Sequence, residues 1–173
     1  AYQAMQDSSG RLLVLGQHES EPGIVRHHVL RYLANGSIDP SFGVNGVALL
    51  GLTTPSMQIT PSPSSFGGVL SSGKIVLGVH ASNGSFTEFT LVRLHPDGTQ
   101  DASYGGGMIR LPGRPTTGSN RHGGSQTMGL LPDGRIRAAT YAQTGTFLVS
   151  EVFAFQPDGS PDQTFALQGV LAL

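Results

Sequence analysis

The chain has 173 residues, of which 38% are hydrophobic and only 12% charged, with a formal net charge of −1. That length suits one domain with a sizeable core, and so small a charge excludes a strongly basic surface for nucleic acid or anionic membrane. There is no cysteine, which excludes disulfides, thiolate metal sites and a cysteine nucleophile, and no apolar run approaches the ~20 residues of a membrane helix.

The first residue is Ala and no signal peptide is visible, so the chain is expected to be processed or excerpted from a longer one. From there the elements follow a pattern. Tyr2–Gln6 reads as a short strand, "SSG" at Ser8–Gly10 as a tight turn, and Arg11–Gln17 as a second strand. The polar stretch Glu19–Val25 reads as a loop and Val29–Leu33 as a third strand. A second turn, "ANGSIDPSFGVNG" from Ala34 to Gly46, leads to a fourth strand, Val47–Leu50.

The succession then repeats. Gly68–Leu70, "SSGK", Lys74–Val79, the loop Ala81–Thr87, Thr90–Leu94, "PDGTQDASYGGGM" from Pro96, and Met108–Leu111 form the second copy. Thr127–Leu131, "PDGR", Arg135–Thr140, Ala142–Phe147, Val152–Phe155, "PDGSPDQTFALQG" from Pro157, and Val170–Leu173 form the third. Xaa-Gly pairs between short β-branched runs are the strongest local hairpin signal. The 25 Gly and 11 Pro fit many turns, and no segment sustains a 3.6-residue apolar period, so almost no helix is predicted.

Four short strands repeated about every sixty residues are the mark of propeller blades. The predicted fold is all-β: a β-propeller-type arc of three four-stranded antiparallel blades in one repeat domain, 1–173. The blades run approximately 1–57, 58–120 and 121–173. A β-sandwich is the alternative, although a sandwich needs no regular period.

In such an arc the tight turns share one end of the blades and the remaining connections share the other. Gly36, Gly98 and Gly159 supply the second turn of each repeat, and Asp39, Asp101 and Asp162 are expected to accept backbone N–H bonds there. Arg31 and Arg93 are expected to pair with these aspartates across the hairpin, a role that Ala154 abandons in the third copy. Read as a calcium loop, the Asp-Gly–x–x–Asp pattern has too few carboxylates and lacks the closing acidic residue.

At the opposite end lie variable loops, including the long links Gly51–Phe66 and Pro112–Gln126, where binding usually resides. The candidate ligand contacts are His18, His80 and Tyr141, which by sequence end the second strand of each repeat, together with His27, His122 and Arg121. If the second strand lines the central channel, three polar rings point at one mouth; otherwise they seal the tops of the blades. His27 and His28 are adjacent on a strand and point to opposite faces, which is poor metal-ligand spacing, and neither a metal nor a cofactor is expected. No nucleophile elbow, zinc-protease helix or P-loop is present, so no catalytic residue is assigned.

The units "GRLLVLGQ", "GKIVLG", "VLRYLANGSIDPSFGVNGV", "LVRLHPDGTQDASYG" and "FAFQPDGSPDQTF" resemble the delta-60 repeat family over nearly the whole chain. The third copy departs from the pattern, with Ala154 where Arg31 and Arg93 stand and Ala166 where Gly43 and Gly105 stand. The resemblance implies propeller blades in a bacterial surface or secreted protein, and it implies no settled chemistry. Three blades leave two open sides, which self-association into a closed ring, further blades of a longer chain or other subunits would cover. The expected function is a non-catalytic structural or protein-binding module of an extracytoplasmic assembly. Two alternatives are a lectin with repeated glycan sites on the loop face and an enzyme with its site over the central channel.

Overall fold

Every tight Xaa-Gly turn reverses the chain so that its flanking strands pair, and six such turns join the first strand of each blade to the second and the third to the fourth. The computed structural model describes residues 3–21, 24–51, 66–82, 87–111, 127–144 and 147–172. The first blade is β1 (Gln3–Gln6), β2 (Leu12–Glu21), β3 (Ile24–Tyr32) and β4 (Val47–Leu49). The second is β5 (Phe66–Val69), β6 (Ile75–Ser82), β7 (Thr87–Leu94) and β8 (Met108–Leu111). The third is β9 (Thr127–Leu130), β10 (Ile136–Thr144), β11 (Phe147–Phe155) and β12 (Val170–Ala172). Each forms a four-stranded antiparallel sheet whose spatial order is its chain order. Among the described residues the sole helical piece is a 3₁₀ turn at Gly105–Gly107.

Two expectations need correction. The first concerns Glu19–Val25, Ala81–Thr87 and Ala142–Phe147, expected as loops. Their described residues are strand: β2 pairs with β3 out to Glu21 and Ile24, β6 with β7 to Ser82 and Thr87, and β10 with β11 to Thr144 and Phe147. Backbone pairing carries these hairpins past the apolar core, where alternation fades and the sequence reads as loop. The second concerns the channel. The first strands lie closest to one another, β1 beside β5 and β5 beside β9. The second strands stand one position further out. The long links, 52–65 and 112–126, fall outside the described residues.

The middle sheet is covered on both faces. Ile75, Leu77 and Val79 alternate toward the first blade, packing with Leu13, Leu15, Val29 and Phe42. Val76 joins Phe89, Leu91 and Tyr104 in a second core with Ile136 and Ala138 of the third blade. Period-2 patterning therefore buries both faces here, so β6 reads as a continuous apolar run. Near the axis side chains of the flanking blades press on the backbone of β5: Gln3 Nε2 donates to the Gly67 carbonyl at 3.0 Å. A Cβ on Gly67 would lie 2.7 Å from Met5 Sδ, and one on Gly68 would lie 2.7 Å from Leu130.

Candidate functional site: the joint between blades

Among the described residues the turn after each third strand holds the densest polar chemistry. In the first blade Asp39 receives the Ser41 amide (3.1 Å) and hydroxyl (2.6 Å) on Oδ1 and the Arg31 Nε (2.8 Å) on Oδ2. In the second, Asp101 receives the Ser103 amide (3.1 Å) and hydroxyl (2.6 Å), Arg93 Nε (2.8 Å) and Lys74 Nζ (2.8 Å). Both guanidinium groups then lie over the aromatic ring that follows, Arg31 4.5 Å from the Phe42 centroid and Arg93 4.4 Å from that of Tyr104.

These assemblies reach into the next blade. Arg31 Nη1 donates to the carbonyl of Pro96, and Arg93 Nη1 to that of Pro157, each in the turn of the following repeat. The Gly43 amide donates to the Asp97 carbonyl at 2.7 Å. The rings of Phe42 and Tyr104 lie against Gly98 and Gly159. A Cβ on Gly98 would meet the Phe42 ring at 2.9 Å, and one on Gly159 the Tyr104 ring at 3.0 Å. Those two glycines are thus held by close approach as well as by φ values of +88° and +90°. The aspartate–arginine–aromatic set is a clamp that fastens one blade to the turn of the next.

The third repeat corrects a sequence expectation. Ala154 does replace the arginine, but the charge is not lost. Arg137, directly opposite Ala154 in the β10–β11 ladder, supplies it from the neighbouring strand. Its Nη2 bonds Asp162 Oδ2 at 2.8 Å and its guanidinium lies 4.8 Å from the Phe165 centroid. Asp162 also takes the Thr164 hydroxyl at 2.6 Å and Gln156 Nε2 at 2.9 Å. The pairs Leu13–Arg31, Val76–Arg93 and Arg137–Ala154 occupy one ladder position in the three blades. The arginine has crossed the hairpin and kept its bond to the aspartate and its place over the ring. Ala166 adopts the left-handed φ of +45° in the place of the glycines.

Every aspartate of the chain is held below its ordinary value of 3.8. For Asp39 and Asp162 the Ser41 and Thr164 hydroxyls are the main cause. For Asp101, burial pushes upward, and the bonds from Lys74, Ser103 and Arg93 outweigh it. Unfolded carboxylates titrate near 4, so this stabilisation is full above that pH and is lost as pH falls through the depressed folded values. His28 adds a smaller slope of the same sign, since burial and then the neighbouring His18 charge hold its pKa below 6.5. The urea midpoint is therefore expected to decline gently below about pH 6.5 and steeply below about pH 4. A midpoint unchanged between neutral pH and pH 3 contradicts this.

The histidine candidates are scattered. The ladder register aligns Gln17, not His18, with His80 and Tyr141: Gln17 pairs with His27, His80 with Phe89 and Tyr141 with Ser150. His18 stands one residue further from its turn than His80 and Tyr141 do, on the other face of its sheet, so the three do not share one ladder position. His18 is exposed, and its Nδ1 lies 3.2 Å from Nδ1 of His28, a pair that needs one shared proton. His27 is buried on the face turned to the second blade. The side chains of His80 and Tyr141, and all of Arg121 and His122, lie outside what the structure describes. Among the described residues no group of three or more His, Cys, Asp or Glu could hold a metal, and no helix is long and apolar enough to cross a membrane.

Residues 8–42 and 70–104 match the family described as "Domain of unknown function (DUF5122) beta-propeller". The matched segments run from the first turn to the clamp aromatic in the first and second repeats, and the third repeat, with its transposed arginine, lies outside them. No curated protein and no solved structure matches the chain.

Proposed function

The chain carries the repeats of a β-propeller family, and on that premise we propose that it is a non-catalytic structural and protein-interaction module. We place it in a bacterial assembly outside the cytoplasm, a setting supported by the delta-60 resemblance. One observation carries the functional reading: the repeated polar residues are consumed by the architecture. Asp39, Asp101 and Asp162 are buried and bonded to Arg31, Arg93 and Arg137, and Arg31 and Arg93 tie their blades to the next turn rather than facing a cleft. Acid–base catalysis needs a titratable group poised near working pH beside a substrate. The clamp carboxylates are instead pinned in their charged form.

A thermal-shift screen of the chain against mono- and oligosaccharides, with a turnover panel of simple ester, phosphate and glycoside substrates, tests this reading. No saturable shift and no turnover are expected. A saturable shift with a sugar, abolished by His18→Ala, would replace the module with a lectin, and turnover would replace it with an enzyme.

A further inference from the structure

The two internal joints define what a complete joint contains, and each end of the arc carries one half of another. On the first blade the receiving turn, Ala34–Asn35–Gly36, is bare: a Cβ on Gly36 would find nothing within 4 Å, where Gly98 and Gly159 have a ring at about 3 Å. The sheet face beside it is bare as well. Leu12 is 40% exposed, whereas its ladder counterparts Ile75 and Ile136 are 1% and 0% exposed. Tyr32 and Leu33 extend this apolar cleft toward the turn.

On the third blade the donating half is bare. Phe165 is only half-buried, whereas Phe42 and Tyr104 are fully covered. The Arg137 side chain is 23% exposed, against 4% for Arg31 and 7% for Arg93. Its Nη1 reaches no neighbouring turn and donates instead to the Ile136 carbonyl of its own strand at 3.1 Å. Val152 is half-buried on this face, whereas its counterparts Val29 and Leu91 are fully covered.

We infer that these faces are complementary halves of one joint and that a second copy of this chain joins them. Phe165 of one copy lies on Gly36 of the other, and Arg137 turns to the Ala34 carbonyl. The inference rests on the module reading above and gives it a partner. The occupant follows from the chain's own chemistry: the internal joints show that an arginine–aromatic clamp is what sits on such a turn. Among the described residues the clamp of the third blade and the turn of the first are both uncovered. A head-to-tail contact of this kind extends into a filament unless it closes. Two three-blade arcs related by a two-fold axis form both missing joints at once, and six blades fall within the four to eight of closed propellers.

Sedimentation equilibrium of the 173-residue chain tests this, with three variants. The wild type is expected at twice its 18.0 kDa chain mass. Gly36→Asn fits the free chain, because Asn tolerates left-handed backbone and the space is open, but its Cβ strikes the incoming ring; dissociation at least about tenfold easier is expected. Leu12→Glu, a change at an already exposed site, is expected to act likewise. Gly106→Asn carries the same backbone strain in open space away from the ends and is expected to leave the mass unchanged. A wild type monomeric at every concentration, a mass other than twice the chain, or a dimer indifferent to both Gly36→Asn and Leu12→Glu overturns the inference. The sugar and turnover screens are unaffected by that result, so the module reading stands or falls separately.

Discussion

Asp101→Ala is expected to destabilise the chain by about 3–5 kcal/mol, the usual consequence of removing one partner from a buried ion pair. The size follows from what is left behind. Arg93 and Lys74 both bond the same Oδ2 at 2.8 Å, and the Arg93 side chain is only 7% exposed. Deleting the carboxylate leaves a nearly dry guanidinium and a neighbouring ammonium with no counter-ion. The loss spreads across the joint, because Asp101 holds Arg93 over the Tyr104 ring and against the Pro157 carbonyl of the third blade. Asp101→Asn keeps an acceptor for the Ser103 amide but not the charge, so an intermediate loss is expected. Urea unfolding of the three proteins decides the matter. A loss under about 1 kcal/mol for Asp101→Ala, in the range of an exposed pair, sinks the view that this cluster is a structural clamp.

Tyr104 separates the ring from its hydroxyl. The side chain is fully buried and its hydroxyl finds no hydrogen-bond partner among the described residues. Burial also pushes its pKa upward, the expected response of a phenol that cannot be solvated as an anion. Tyr104→Ala removes the ring that lies on Gly159 and under Arg93 and is expected to cost about 3–5 kcal/mol. Tyr104→Phe removes only the unpartnered hydroxyl and is expected to be neutral or stabilising by up to about 1 kcal/mol. The molecule already makes the comparison, since Phe42 and Phe165 occupy the same place in the other repeats. A Tyr104→Phe loss as large as that of Tyr104→Ala means that the hydroxyl has a partner and that the joint is not apolar at its centre.

The blades were legible because they are local. Short apolar or β-branched runs beside Xaa-Gly turns locate all twelve strands, and the threefold repetition supports each reading with two others. The clamp was half legible: Arg31 with Asp39 and Arg93 with Asp101 can be paired across a short hairpin by counting. Its reach into the next blade was not, because Arg31 and Pro96 meet through the packing of two sheets and no local pattern encodes that. The transposed arginine carried a signal that register would have exposed. Arg137 stands three residues after Gly134, as Leu13 follows Gly10 and Val76 follows Gly73, which places it opposite Ala154. Counting from the turn rather than matching letters also removes His18 from the company of His80 and Tyr141. The hairpin extensions stayed hidden because polar side chains on paired backbone look like loop.

The central claim is that the repeated arginine–aspartate–aromatic set joins blades, and one amide reports on it directly. Gly43 is an exposed residue in a turn, yet its N–H donates to the Asp97 carbonyl across the boundary between the first and second blades. Native-state hydrogen exchange at Gly43 should be as slow as in β3 and β6, and it should quicken in Arg31→Ala while those strands stay protected. Exchange at the rate of a free loop amide in the wild type, with the strands intact, would mean that the blades are not joined there and would contradict the account.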